Sequence, residues 1–348
     1  MIEIDGAHGE GGGQLVRTAV ALAAVTGTPI RLFNVRAGRE KPGLAPQHLA
    51  AVRAVAALCD ARVEGLALRA TSFTFAPGAP RGGAFRFEVG TAGSATLVLQ
   101  AALPVLLAAP VASRVTVVGG TDVRQAPPAD YLIEVLLPHL ARMGARVAGR
   151  VLRRGYFPRG GGEIALDVTP ARLRAVALDA PGALVELRGS AHVAHLPAHI
   201  AERMRAGALQ ALGPDAANAR IATAVLGGAD AIAQGGAIVV WARAEASVLG
   251  AGRAAERGVR AEALGDAVGR ALAADLASGA ALDRHAADQL LVYLALAGGA
   301  SAFTTRELSD HARTAMWLIE QFLPVRFGHA QDGERVRVTI TPTADGAA

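Results

Sequence analysis

The sequence predicts an α/β chain, α+β in overall class, made of one pattern used three times and interrupted once. Three observations carry this expectation. The order strand, Gly- or polar-rich loop, helix, strand, polar loop, helix, then one or two strands recurs along the 348 residues, and such internal repeats are read before local motifs. Residues 182–277 follow a different order. An apolar content of 52% is enough to bury one large core or two ordinary ones.

The first copy reads as a strand at 2–4, a loop at 5–13, a helix at 14–25, a strand at 30–35, a loop at 36–46, a helix ending at Cys59, and strands near 62–68 and 72–75. The second runs through a strand at 85–89, a helix at 93–107, a strand at 115–118, a loop at 119–128, a helix at 129–143, and strands at 146–152 and 163–168. The third is shorter, with a helix at 283–297, a strand at 302–305, a helix at 309–322, and strands at 325–327 and 335–340. Within the interruption, alternation marks a strand at 184–188, helices are expected at 198–212 and 261–276, and strands at 219–224 and 237–243. The expected division is therefore 1–181 for two copies, 182–277 for an inserted α+β domain, 278–341 for the third copy and 342–348 for a tail.

A net charge of +5 and a pI near 10.2 favour polyanionic partners or simply a soluble surface. Cys59 is the one cysteine and sits in an apolar helical pattern, which excludes disulfides within the chain and thiolate zinc sites. The start Met1-Ile2-Glu3-Ile4-Asp5 has no basic, apolar leader pattern, so a cytoplasmic chain is expected. The uncharged stretch between Glu88 and Arg114 is long enough to imitate a membrane span, but Gln100, Pro104 and Pro110 mark it as a buried helix, with no membrane partner expected.

Chemistry concentrates in the strand-to-helix loops. The stretch from Thr304 to Arg313 puts His311 in the first turn of a helix after a short apolar strand. Free N–H groups and the helix dipole gather anions there and disfavour imidazolium, so this His stays neutral and nucleophilic beside phosphate. The loop Asp5–Gly13 fails the P-loop spacing, since Gly11-Gly12-Gly13 stands where Gly-Lys-Ser/Thr is needed, and fails the dinucleotide spacing at Gln14. What remains is backbone able to approach an anion and one carboxylate, Glu10, which reads either as a divalent-cation ligand or as a solvated turn acid.

Arg17, one turn into the next helix, reads as an anion ligand or as surface decoration, whereas Arg36, Arg39 and Lys41 crowd a Gly/Pro-punctuated loop suited to phosphate. Gln47 and His48 read as helix caps, and Asp288 and Gln289 either as site residues or as ordinary helix-start groups. His192, His195 and His199 tempt a metal reading, but 192 and 195 would lie on opposite faces of one strand without a carboxylate triad, so they are expected to be structural. If the copies pack as equivalents, loop 36–43, loop 119–122 and the His311 loop converge on a phosphate site.

Six ordered motifs carry a family resemblance. They are Gly9-Glu10-Gly11-Gly12-Gly13-Gln14, Arg36-Ala37-Gly38-Arg39 with Lys41-Pro42-Gly43, Gly90-Thr91-Ala92-Gly93-Ser94, Tyr156-Phe157-Pro158-Arg159 with three glycines, Ala287-Asp288-Gln289, and Phe322-Leu323-Pro324-Val325-Arg326-Phe327. Together they resemble the RNA 3'-terminal phosphate cyclases over nearly the whole chain, the insertion being least distinctive. The resemblance implies three βαβαββ-type units in a large domain with a smaller inserted domain. It implies a ligase forming a phosphoric ester bond: a histidine takes AMP from ATP, AMP passes to an RNA 3'-phosphate, and the 2'-OH displaces it to leave a 2',3'-cyclic phosphate.

By the same resemblance His311 would be the adenylylated histidine, and Gln100, Pro127, His285, Ala286, Ala287, Asp288 and Gln289 would contact ATP. Glu10 would hold the divalent metal, Mg²⁺ or Mn²⁺, and Arg17, Arg36 and Arg39 the substrate phosphate. Lysine is the usual nucleotidyl nucleophile, but Lys41 is the sole lysine and lacks the Lys-x-Asp-Gly context of ligases. The chain departs from the family at Asp310, where a carboxylate beside the nucleophile is expected to raise its pKa, and at His285, where an aromatic commonly stacks on adenine. Two other classes stand beside this one: a non-catalytic nucleolar relative that binds RNA in ribosome assembly, in which the nucleophile is not needed, and an enolpyruvyl transferase of similar repeated architecture that uses no ATP.

Overall fold

The computed structural model describes residues 1–343, and the last part of the expected tail, 344–348, lies outside the described residues. Three four-stranded sheets share one topology. The first unit contains β1 (Ile2–Asp5), α1 (Gly13–Thr26), β2 (Ile30–Phe33), α2 (Pro46–Cys59), β3 (Arg62–Glu64) and β4 (Phe73–Ala76). Its strands lie in the order β1-β2-β4-β3, the first pair parallel and the others antiparallel. The second unit has β5 (Gly83–Glu88), α3 (Ala95–Leu107), β6 (Ser113–Gly119), α4 (Ala129–Tyr131), a π-helical turn (Leu132–Leu136), α5 (Leu137–Arg142), β7 (Arg146–Arg153) and β8 (Gly162–Thr169). The order β5-β6-β8-β7 repeats the first sheet, again with one parallel pair.

The third unit is complete, not short. Its first strand is β9 (Ala177–Leu178), which the sequence reading leaves unassigned at the end of the second copy. After the insertion come α8 (named α8 after the two helices of the insertion, Arg284–Leu296), β14 (Ser301–Thr305), α9 (Asp310–Glu320), β15 (Val325–Asp332) and β16 (Arg335–Pro342). β9 pairs parallel with β14, and β14-β16-β15 continues antiparallel. The insertion thus splits this unit between its first strand and first helix. β16 also extends to Pro342, one residue into the expected tail.

The insertion folds as β10 (Leu184–Ala194), α6 (Ala198–Leu212), a 3-10 turn (Gly213–Asn218), β11 (Ala219–Leu226), β12 (Gly235–Ala244), β13 (Val248–Ala254) and α7 (Ala261–Ser278), with strand order β11-β10-β12-β13. It has its own apolar core, including Leu187, Met204, Ile238, Leu249 and Leu272. One separate, larger core runs from Ile4 to Ile340 through all three units. α1 packs on α2, α3 and α9, so helices of the three units share that core, and Gln47 at the start of α2 accepts from Ser94 N at the start of α3.

Local sequence explains the helix limits. Ser94 Oγ accepts from Leu97 N at 3.2 Å to start α3, and Ser309 Oγ accepts from Ala312 N at 3.0 Å to start α9. Gly27 closes α1 in the left-handed region. The uncharged α3 is buried almost throughout, and no helix among the described residues is long and apolar enough to cross a membrane.

Two local expectations need correction. The segment 129–143 is not one regular helix but two α-helical pieces joined by the π turn, where Tyr131 and Val135 pack on Gly250 of the inserted sheet. His195 is not on the strand with His192: β10 ends at Ala194, and His195 adopts φ +52 while its Nε2 lies 2.7 Å from the Ala231 carbonyl. His199 is exposed near the start of α6.

Candidate active site

The loop from β1 to α1 lies against the start of α9 at Gly9 and against α2 at Gly13. A side chain at Gly9, where φ is +59, would run into Thr314 Oγ1, and one at Gly13 into His48 Nε2. With Gly9 flush against α9, Glu10 N donates to Thr314 Oγ1 at 3.0 Å, and that hydroxyl donates to the Asp310 carbonyl at 2.8 Å. Glu10 Oε2 then lies 3.4 Å from His311 Nδ1. The other Glu10 oxygen pairs with Arg39, whose Nη2 also donates to the Glu10 carbonyl at 3.1 Å. Three residues remote in sequence, one acid, one cation and one imidazole, therefore share a single mouth.

His311 is the second residue of α9 and its side chain is 46% exposed. Its pKa is lowered, first by burial and then by the charges of Arg17, Arg39 and Arg284, with Asp288 opposing. The expectation from Asp310 is not met: the His311 pKa is lowered, adjacent helical residues point about 100° apart, and the carboxylates that face the ring are remote in sequence, Glu10 at 3.4 Å and Asp288. Asp288 is buried and receives a hydrogen bond from Ser309 Oγ, the cap of the His311 helix. Its own carboxyl is raised by burial, an effect that Ser309 and the two neighbouring histidines oppose.

Arg17 has no carboxylate partner among the described residues, and burial lowers its guanidinium to about 10. His48 is brought to about 3 by burial, then by Arg17 and Arg36. It is a cap as expected, its Nδ1 accepting from Ala45 N at 3.2 Å. Positive charge thus accumulates around this mouth beyond what Glu10 neutralises. Arg36 is committed differently: in the left-handed region at φ +55, it spends Nη1 on the carbonyls of Lys41 and Gly43, at 3.0 and 2.7 Å, and so braces its own loop.

The residues expected around a nucleotide form a neighbouring chain of contacts. Gln100 Nε2 donates to Gln289 Oε1 at 2.6 Å, and Gln289 Nε2 donates to the His285 carbonyl at 3.0 Å. His285 meets Tyr131 edge to face at 6.3 Å, and its pKa is lowered, chiefly by burial. The Pro127 carbonyl accepts from Thr96 Oγ1 at 2.9 Å, beside the Ser94 cap of α3. Ala286 and Ala287 turn into the core, leaving only backbone; Ala286 N donates to Asp283 Oδ1 at 3.0 Å. Sequence reasoning missed the supports: Ser309, Thr314 and Asp283, of which only the two caps, Ser309 and Asp283, had a readable signal.

A divalent cation finds one carboxylate here, Glu10, and no group of three or more His, Cys, Asp or Glu side chains among the described residues could hold a metal alone. That donor set fits a cation of the Mg²⁺ kind, which keeps several waters and takes the rest of its ligands from phosphates. Chemically, the mouth offers a neutral imidazole with Nε2 free, a carboxylate, and unpaired positive charge.

Comparison with known proteins agrees on one family. A family model described as RNA 3'-terminal phosphate cyclase matches residues 8–329. An RNA 3'-terminal phosphate cyclase of Nitrosospira multiformis is 55% identical over 347 residues, covering 99% of this chain and 98% of that protein. Relatives with the same name from Pyrobaculum neutrophilum and Archaeoglobus fulgidus are 42% and 45% identical, covering 97% and 93% of this chain and 98% and 96% of their own. Among solved structures, the enolpyruvyl transferase NikO from Streptomyces tendae aligns with 99% of this chain and 49% of its own at 14% identity, with a TM-score of 0.37, too low to support an argument.

Proposed function

The chain belongs to the RNA 3'-terminal phosphate cyclase family, and we propose that it converts an RNA 3'-terminal phosphate to a 2',3'-cyclic phosphate through enzyme-histidine-AMP and RNA-adenylate intermediates, using ATP. One observation carries the mechanism: His311 is held neutral at a helix start with Nδ1 toward Glu10 at 3.4 Å, so Nε2 is the free nitrogen, in a mouth with unpaired arginine charge. Nε2 attacks the α-phosphorus of ATP, a P–N bond forms, and pyrophosphate leaves. An oxygen of the RNA 3'-phosphate then attacks that phosphorus and the P–N bond breaks, restoring neutral His311. The 2'-hydroxyl oxygen finally attacks the 3'-phosphorus, losing its proton to solvent, and AMP departs.

Arg17 and Arg39 are assigned to neutralise phosphate charge in these steps, a reading supported by the missing acid at Arg17 among the described residues and by the pairing of Arg39 with Glu10, while Arg36 shapes the loop that carries Arg39. Gln100, Pro127, His285, Asp288 and Gln289 are assigned to ATP, with Ala286 and Ala287 contributing backbone. Glu10, once released from Arg39 by arriving phosphates, would hold a divalent cation, Mg²⁺ or Mn²⁺, which when bound supplies charge neutralisation on the phosphates. For domain organisation, residues 1–181 and 278–341 form one large domain and 182–277 an inserted one, a division supported by their separate apolar cores.

Glu10, the carboxylate beside His311, is engaged by Arg39 and assigned to the divalent cation, so the acceptor hydroxyl is assigned to the substrate, where proximity alone can replace about 7–11 kcal/mol of barrier. RNA ending in a 3'-phosphate should yield a cyclic end and AMP. The same strand with a terminal 2'-deoxyribose should accept AMP and stall as the adenylylated strand. Equal AMP release from both strands would make water the acceptor and end the cyclase reading; a protein that consumes no ATP with either strand would be a binding protein.

A further inference from the structure

The β1–α1 loop runs along α9 in register, and its contacts continue beyond Glu10. Glu10 meets His311 and Thr314, Gly9 packs on Thr314, and His8 lies flat on Trp317 with ring centroids 3.6 Å apart and planes 16° apart. His311, Thr314 and Trp317 are spaced i, i+3, i+6 and form one ridge, so Trp317 stands about 9 Å along the helix axis from the nucleophile. Trp317 is half-buried, whereas His8 above it is exposed. With one face on the indole, the exposed surface of the imidazole is its outer face and edges.

The loop's turn is closed by backbone: His8 N donates to the Asp5 carbonyl at 3.1 Å, and Gly11 N to the His8 carbonyl at 3.0 Å. These bonds require no imidazole. Arg313 lies one turn before Trp317 on the same side of α9, is exposed, touches His329 at 3.3 Å, and has no carboxylate partner among the described residues. An aromatic face with an unpaired guanidinium beside it is the combination that holds single-stranded nucleic acid, by stacking of a base and attraction of its backbone. Unpaired RNA ends present such bases, and histidine is among the side chains on which they stack.

We propose that the His8–Trp317 pair is the platform on which the base of the RNA's 3'-terminal nucleotide stacks, with Arg313 beside it for the adjoining phosphodiester. The proposal rests on the reading of this site as acting on an RNA 3'-phosphate. It makes recognition of the end tolerant of base identity, because every base has a stacking face, and dependent on the presence of a base.

The test uses two oligoribonucleotides with 3'-phosphates, identical except that the terminal nucleotide of one is abasic. kcat/KM for cyclisation is measured with the intact protein, His8→Ala and His8→Phe, alongside self-adenylylation by ATP without RNA. The intact protein should prefer the base-bearing strand roughly 5- to 100-fold, the range expected for one stacked base. His8→Ala should bring the two strands within about twofold of each other, mainly through KM, and His8→Phe should restore the preference, while ATP-driven adenylylation stays unchanged. A merely structural role for His8 would slow both strands equally and leave the preference intact, which overturns the proposal. So does a raised KM for ATP in His8→Ala with the strand preference intact, which would assign the platform to adenine. If the intact protein cyclises neither strand, the cyclase reading itself fails and the platform with it; if it cyclises both equally, the platform alone fails.

Discussion

Asp122 is buried, Arg154 and Asp130 are only 14% exposed, and the three are paired with one another, whereas Glu10, Arg17, Arg39 and His311 stand at an accessible mouth with cation in excess. In the first group Arg154 lies 3.2 Å from Asp122 and 2.6 Å from Asp130, and Thr121 and Ser190 supply further hydrogen bonds to the two carboxylates. Burial alone would raise the Asp122 carboxyl, yet Arg154, then His192 and Thr121, hold it well below the usual carboxylate range. His192, from β10, lies 3.7 Å from Asp122, so this group joins the inserted sheet to the second unit. In the second group the half-buried Arg17 has no acid partner among the described residues, and Glu10 is paired with Arg39 while its other oxygen faces His311. A cluster whose cation is paired with acids inside the fold holds parts of that fold together; one that leaves cation without an acid is set up for a charge that arrives from outside.

The comparison can be broken by mutation, and Arg154 should give the largest effect. Arg154→Met leaves the buried Asp122 carboxylate without its cation, so unfolding should become easier by about 3–5 kcal/mol, read by denaturant titration. A loss below about 1 kcal/mol, within the range of exposed pairs, would remove the distinction between the two groups.

Glu10→Ala should do the reverse. Adenylylation should fall roughly a hundredfold at limiting metal, partly recovered at high metal, while the melting transition stays in place. Unchanged metal dependence would return Glu10 to the role of a turn acid paired to Arg39.

The smallest effect is a displacement of a pH profile. His311 must be neutral to attack, and its pKa is lowered, so adenylylation should stay level through neutral pH and fall only below the ordinary imidazole range. Arg39 and Arg17 lower that pKa while Asp288 raises it. Arg39→Gln should therefore move the acid limb to higher pH, and Asp310→Asn should leave it in place. An acid limb above the ordinary imidazole value, or one that moves with Asp310, would contradict the charge arrangement.

How much of this was legible in the sequence follows from what each feature needs. The long strands and helices announce themselves by period, and Ser309 before an apolar helix pattern fixes where His311 stands. β9 is two residues long and carries no period, and β13, Val248–Ala254, is too rich in Gly and Ala to alternate visibly. The π turn lengthens each hydrogen-bonded span by one residue relative to an α-helix, which an apolar pattern does not register. At the site, the roles of single residues were open because partners are remote. Glu10 and Arg39 lie 29 residues apart, and Glu10 and Thr314 304 apart. The effect assigned to Asp310 failed for the converse reason, since closeness along a helix is not closeness of side chains.

The role proposed for His311 is that of a covalent nucleophile standing in unpaired positive charge. It is tested most directly by incubating the protein with ATP labelled at the α-phosphate and Mg²⁺ or Mn²⁺, then measuring protein-bound label after acid and after alkali. The account predicts a phosphoramidate, lost in acid and kept in alkali, on the intact protein, and no label on a His311→Ala protein that melts at the same temperature. Equal labelling of His311→Ala, or label that survives acid, would place the nucleophile elsewhere and contradict the account.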